Sequence, residues 1–235
     1  MLKNPDDGYR YAEFSNQLAT FRCPICGKEI GEAYIHNVSR YGLSCPSCSD
    51  GISYPNKLMY NLLTFFGEQF KTEQIPVWCK FKNYNDDTIT FGIYDFIIYN
   101  RNLIIEMDGG IGHGNNPYTN SKYTKEELIY RDNCKDKLAK ENGFDVIRIN
   151  CNYSNKNKFV FCKNSILNSR LTEIYDFSTV DWDYINQNCL KSYIIKAIEM
   201  YNSGSSIRQI SEYIYKSEST VKDYIAKGTF LRMCV

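Results

Sequence analysis

The sequence predicts an α+β/α/β chain in three folded parts: a small N-terminal module pinned by cysteine knuckles, a central αβββαβ core and an all-α C-terminal module. Three observations predict it. Cys23-Pro-Ile-Cys26 and Cys45-Pro-Ser-Cys48 form two C-x2-C pairs in a turn-rich opening stretch. Between Tyr54 and Asn152 the apolar residues switch from helical spacing to alternation and back. From Asn188 onward only helical spacing remains. The expected divisions are 1–52, 53–152, a mostly helical connector over 153–187, and 188–235.

Composition narrows the class. A chain of 235 residues suits two or three small domains. With 43% hydrophobic and 15% aromatic residues it has ample material for packed cores, which excludes wholesale disorder. It contains no long uncharged apolar run, so no membrane association is expected. The opening Met-Leu-Lys-Asn-Pro-Asp-Asp shows no signal-peptide pattern, and a reducing cytoplasmic location is expected. In that compartment the ten cysteines serve as metal ligands or small buried hydrophobes rather than as disulfides.

The two knuckles are separated by 18 residues. Each can turn two thiolates toward one ion, and together Cys23, Cys26, Cys45 and Cys48 complete a tetrahedral Zn2+ site. Four protein ligands leave no open coordination position, so this zinc is structural and holds a ribbon together. Gly27 and Gly42 sit where such turns need unusual backbone angles. The competing reading is two unrelated pairs of buried or redox cysteines.

In the core, Leu58, Met59, Leu62, Leu63 and Phe66 recur at helical spacing, and Gly67 stops the helix. Val77, Cys79 and Phe81 alternate with polar neighbours as in a half-buried strand, and residues 83–87 form a turn. Strands are expected over Ile89–Tyr99 and Leu103–Asp108, joined by a two-residue loop at Asn100-Arg101. Thr124 and Glu127 form a capping box that opens a helix ending at Asn142-Gly143, and Val146–Ile149 is the last strand.

That hairpin sets Asp95 directly across from Glu106, with Asp108 on the same face as Glu106 because side chains alternate. Like charges about 5 Å apart at Cβ destabilise a strand pair, so a shared divalent cation is the simplest compensation. Oxygen ligands of this kind suit Mg2+. The alternative places the acids at strand ends in solvent. Beyond them, Gly109, Gly110 and Gly112 allow a sharp turn, and His113 has a pKa suited to proton transfer near neutrality. On the following helix Arg131 and Lys135 fall within the apolar arc, with Asp132 at its edge. Such cations either snorkel to the rim or stabilise a phosphorane-like transition state.

The C-terminal stretch reads as three helices, over Leu190–Tyr201, Ser206–Tyr215 and Ser217–Ala226, with Ile207, Ile210, Ile214, Val221 and Ile225 inward. The last pair resembles the helix-turn-helix of resolvases and sigma-like factors. That likeness places Ser219, Thr220, Lys222 and Asp223 toward a DNA major groove and Arg208 toward phosphates. A generic three-helix bundle is the alternative. The net charge of +1 announces no polyanion partner, yet from Cys189 onward seven Lys/Arg face four acids, an excess compatible with phosphate contact. In the ribbon Arg22, Lys28, His36 and Arg40 either touch DNA or are solvated surface.

The core order, with Tyr94-Asp95-Phe96 and Ile104-Ile-Glu-Met-Asp-Gly-Gly-Ile-Gly-His113, resembles the PD-(D/E)XK (restriction-endonuclease-like) nuclease superfamily. Within it the likeness is to the branch of very-short-patch repair endonucleases and EDxHD phage homing endonucleases. Arg131-Asp132 ahead of Gly143-Phe-Asp-Val-Ile-Arg-Ile149 is similar to the same branch. The resemblance covers Tyr54 to Asn152. It implies Mg2+-dependent cleavage or nicking of double-stranded DNA. Asp95 is then the central metal ligand, Glu106 and Asp108 are further acids, His113 is the base or acid, and Asp132 is a supporting acid. Two departures stand out. Asp108 replaces the lysine of the superfamily name, and Asn56 stands where an early helical acid is expected, with Glu68 or Glu73 as substitutes.

The resulting expectation is a sequence-guided endonuclease of homing type from a phage or mobile element. Its rivals are a DNA-binding regulator with a decayed nuclease core and a mismatch-nicking repair or defence nuclease.

Overall fold

The structure, a computed structural model, describes residues 11–12, 14–47, 49, 51–109, 124–153, 158–190 and 193–230. In chain order its elements are β1 (Leu18–Arg22), β2 (Glu29–Tyr34), α1 (Ile35–Tyr41), α2 (Tyr54–Phe65), β3 (Lys71–Gln74), β4 (Lys80–Lys82), β5 (Ile89–Phe91), β6 (Tyr94–Ile98), β7 (Leu103–Gly109) and α3 (Lys125–Glu141). There follow β8 (Asp145–Cys151), α4 (Lys158–Leu167), two 3-10 turns, α5 (Trp182–Leu190), α6 (Tyr193–Asn202), α7 (Ile207–Ile214) and α8 (Glu218–Phe230). The described residues of Tyr54–Trp182 form one compact unit, and those of Met1–Ser53 with Asp183–Val235 form the other. Among the described residues no helix is long and apolar enough to cross a membrane.

The middle unit is a four-stranded mixed sheet in the order β3-β6-β7-β8. β6 and β7 are antiparallel, and β7 and β8 run parallel because α3 carries the chain back between them. α2 buries Leu58, Met59, Leu62 and Leu63 as its spacing predicts. It ends in a left-handed Gly67 (φ 71°), where Glu68 N donates to Leu63 O at 3.0 Å. α3 opens with the expected capping box of Thr124 and Glu127. The 153–187 stretch belongs to this unit up to Trp182: α4 packs on β8 through Cys162 and Ile166, and Phe66 stacks on Tyr175 with centroids 4.6 Å apart.

Two expectations for the strands are corrected. The strand beside β6 is Lys71–Gln74, not the Val77–Phe81 run, with Lys71 opposite Ile97 and Gln74 opposite Tyr94. Pro76 explains the difference: Cys79 N donates to Pro76 O at 2.9 Å and closes a turn that leaves Val77 83% exposed. The Ile89–Tyr99 run is also two strands. Its first part pairs with Lys80–Lys82 as a separate hairpin, and Gly92 N donates to Cys79 O at 2.8 Å where the chain leaves it. A Cβ on Gly92 would collide with Cys79 Sγ and stand 2.9 Å from Lys135 Cγ, so only glycine fits the break.

In the other unit β1 and β2 form an antiparallel hairpin with an irregularity at Phe21/Arg22. Helices α6, α7 and α8 pack through Tyr193, Ala197, Ile210, Ile214, Val221 and Ile225; the last four are inward positions that the sequence pattern marks, and Ile207, marked with them, is partly buried against the same cluster. Cys23 and Cys45 are members of the same buried cluster. Ser206 and Gln209 cap α7 reciprocally, and Tyr215 ends it at φ 54°.

Candidate functional site

The β6–β7 register is the expected one. Phe96 faces Ile105, Ile97 faces Ile104 and Ile98 faces Leu103, so Asp95 and Glu106 are the next pair outward. The loop is longer than expected, with Tyr99–Arg101 in a 3-10 turn and Asn102 left-handed at φ 48°. Register survives because the longer turn takes one residue from each strand, Tyr99 and Asn102.

Asp95 is fixed from two sides. Its Oδ2 accepts from Met107 N at 2.8 Å, and its Oδ1 accepts from Asn56 Nδ2 at 3.3 Å. Asn56 therefore reaches the site itself. Glu68 is engaged elsewhere, with Arg101 Nε 2.6 Å from its Oε1, and Glu73 is exposed.

Glu106 is buried. Lys135 Nζ from α3 stands 2.6 Å from its Oε1. No donor among the described residues makes a well-directed hydrogen bond to that oxygen, so the contact is an ion pair with poor geometry. Burial pushes the Glu106 carboxyl up to about 7; Lys135 opposes the shift and the Asp95 charge adds to it. Lys135 is held from behind, 5.0 Å above the Tyr94 ring, while Tyr94 Oη donates to Lys135 O at 2.7 Å. The result is a buried carboxyl poised near neutrality beside a cation, the combination that proton-handling sites use.

Asp108 lies differently. Arg148, opposite Glu106 on β8, places NH1 2.9 Å from Asp108 Oδ1. Its NH2 is 3.2 Å from Asp132 Oδ1 and 2.9 Å from Asp136 Oδ1. Burial works against the Arg148 charge, but the hydrogen bond with Asp136 and the charges of Asp108 and Asp132 outweigh it and raise its pKa. Among the described residues no three acids bring ligand atoms within 4.8 Å of one another, so Asp95, Glu106 and Asp108 do not form one tight triplet. Asp132 joins this cluster through Arg148. His113, Gly110 and Gly112 lie outside the described residues.

The thiol cluster is close. Sγ atoms of Cys23, Cys26 and Cys45 all lie within 4.8 Å of one another, with Cys26 and Cys45 at 3.7 Å. A tetrahedron with Zn–S bonds of about 2.3 Å has edges of about 3.8 Å, so the spacing fits such an ion. The knuckles repeat one backbone device: Gly27 N donates to Cys23 O at 2.9 Å, and Ser49 N donates to Cys45 O at 2.9 Å. Ile25 N also points at Cys23 Sγ from 3.4 Å. These three cysteines could hold a metal; Cys48 lies outside the described residues.

On the tail Arg208, Ser219, Lys222 and Asp223 are exposed and Thr220 is half-buried. Arg208 pairs with Glu212 at 2.9 Å. Ser217 Oγ binds the Ser219 and Thr220 hydroxyls at 2.8 and 2.9 Å, so both hydroxyls serve the start of α8.

Sequence reasoning missed Arg148, Asp136 and Tyr94. Arg148 had a signal: it interrupts the apolar run Val146-Ile147-Arg148-Ile149 with a charge inside a core strand. No protein-family model, curated protein or solved structure matches the chain.

Proposed function

We propose that this chain is a metal-dependent endonuclease that hydrolyses phosphodiester bonds of double-stranded DNA, of the sequence-specific homing type. The observation that carries the reading is the juxtaposition of Asp95 with Glu106 across the hairpin, with Lys135 2.6 Å from the buried acid. The donor set suits a hard cation: two carboxylates opposed across the hairpin. Mg2+, when bound, supplies Lewis-acid stabilisation of charge on a phosphoryl oxygen. Asp95 and Glu106 would hold it. Asn56 and the Met107 amide orient Asp95, and Lys135 supplies positive charge to the reacting phosphate. Asp108 and Asp132 keep Arg148 beside the site. His113, five residues beyond Asp108, handles the proton of water or leaving group. Arg208, Ser219, Thr220 and Lys222 meet DNA, and Zn2+ on Cys23, Cys26, Cys45 and Cys48 is structural.

A second reading, a DNA-binding regulator with a decayed core, is favoured by Asn56, whose amide binds Asp95 where an acid is expected. Incubation of the purified chain with plasmid DNA and Mg2+, with EDTA as control, separates the two. Cleavage by the parent and none by a folded Asp95→Ala variant is expected. Equal cleavage by both would remove the hairpin from the chemistry, and no cleavage by the parent would favour the regulator.

A further inference from the structure

The thiol cluster is walled by the C-terminal helices. The Tyr193 hydroxyl at the start of α6 lies 3.7 Å from Cys23 Sγ. Tyr213 of α7 donates to Pro24 O, inside the first knuckle, at 3.5 Å. Lys216, in the turn between α7 and α8, donates to Leu43 O at 3.3 Å and stands 5.2 Å above the Tyr193 ring. Gly42 marks how close this approach is. Its φ is 75°, and a Cβ there would lie 2.6 Å from Tyr215 O. The first knuckle therefore touches α6 and α7, and the segment leading to the second touches the α7–α8 connection.

We propose that a soft divalent cation on the cysteines, of the zinc class, and helices α6–α8 form one folding equilibrium, with Tyr193 as a positioning residue that donates to the Cys23 thiolate. Metal occupancy thereby sets whether the exposed face of α8 is presented in order. The coupling stands on the thiol-metal reading; its consequence for DNA stands on the endonuclease reading.

The physical argument is charge. Metal-bound thiolates together outweigh the charge of one divalent ion, and the surplus is stabilised by outer hydrogen-bond donors and nearby cations. Tyr193 supplies the first and Lys216 the second. Without metal, no ion holds the three sulfurs together. The knuckles then lose their closure, and α6–α8 lose the surface that completes their core, because Cys23 and Cys45 sit among Tyr193, Ile210 and Val221.

The test is amide hydrogen exchange on the full chain, zinc-loaded and chelator-stripped. Stripping should speed exchange in residues 207–225 roughly 100-fold, together with residues 18–34, and leave residues 94–108 unchanged. Tyr193→Phe should keep its helices but release zinc roughly tenfold faster, the scale on which outer donors act, and should shift the thiolate-to-metal band of the Co2+-substituted chain. Gly42→Ala should loosen residues 207–225 with the metal still bound. Faster exchange confined to residues 18–34, or a Tyr193→Phe variant with parental release and spectrum, would overturn the coupling while the metal reading stands. A chain that takes up neither Zn2+ nor Co2+ would overturn the metal reading and the coupling with it. Failure to cleave or bind DNA touches neither readout.

Discussion

Lys135 Nζ lies 2.6 Å from Glu106 Oε1, joining the middle of α3 to the middle of β7 in a buried ion pair. Removing one partner of such a pair strands the other, whereas removing both charges can be nearly neutral. Lys135→Met should therefore destabilise the protein by about 2–4 kcal/mol, less than the full loss of a buried charge partner because Glu106 can take up a proton. Adding Glu106→Gln should restore most of it. Urea unfolding of the two single variants and the double variant measures the coupling, and additive losses would show that the pair contributes nothing.

Glu106 also makes the metal-free protein pH-sensitive. Burial raises its folded-state pKa to about 7 from the ordinary 4.5, so the fold favours the protonated acid. Its contribution is fully present below the ordinary pKa and is lost as pH rises through about 7. In EDTA, stability should fall by a few kcal/mol between about pH 4.5 and 7.5, at roughly 1.4 kcal/mol for each tenfold change in proton affinity. Glu106→Gln should flatten that segment of the profile, and a parallel profile would show that the acid titrates normally.

Arg148 gathers Asp108, Asp132 and Asp136. Arg148→Ala leaves three carboxylates without their shared cation. The site is partly solvated, so the expected loss is about 1–3 kcal/mol. Mg2+ should recover part of it by binding the released acids, raising Tm more in the variant than in the parent. Thermal unfolding with and without Mg2+ decides; the same Mg2+ response in both would argue that Asp108 lies out of reach of a cation.

Gly92 divides the β4–β5 hairpin from β6 and has no room for a side chain. Gly92→Ala should cost about 1–3 kcal/mol, the usual penalty for overpacking. It should also disturb Lys135, whose stem is the second close neighbour, so on the proposed endonuclease reading Mg2+-dependent cleavage should fall beyond what the stability change explains. Retained activity at full stability would mean that Lys135 moves aside freely.

Deleting the tail would strip Cys23 and Cys45 of their packing partners, so DNA contact is better probed at the surface. Lys222 is exposed on α8. On the proposed DNA-binding reading, Lys222→Ala should weaken binding to all sequences and reduce the slope of log affinity against log salt by about 1. A salt titration by fluorescence anisotropy reads both, and an unchanged slope would place phosphates elsewhere.

The features legible in the sequence alone were local ones. The knuckle spacing, the Thr124 and Ser206 helix starts, the inward Val221 and Ile225, and the opposition of Asp95 to Glu106 each follow from periodicity or turn chemistry over a few residues. Even the longer loop around Asn100-Arg101 leaves the register intact, because the turn takes one residue from each strand. Tertiary packing decided the rest. Lys71–Gln74 took the sheet position because Pro76 turned the more apolar run away. Arg148 meets Asp108 across 40 residues, and Tyr193 meets Cys23 across 170. Local pattern marks Arg148 as a charge inside an apolar strand but names the partner of neither contact. The energy of those contacts exists only after the sheet and the helices have closed around them, since charge pairs and thiol donors gain strength from the burial that the whole fold supplies.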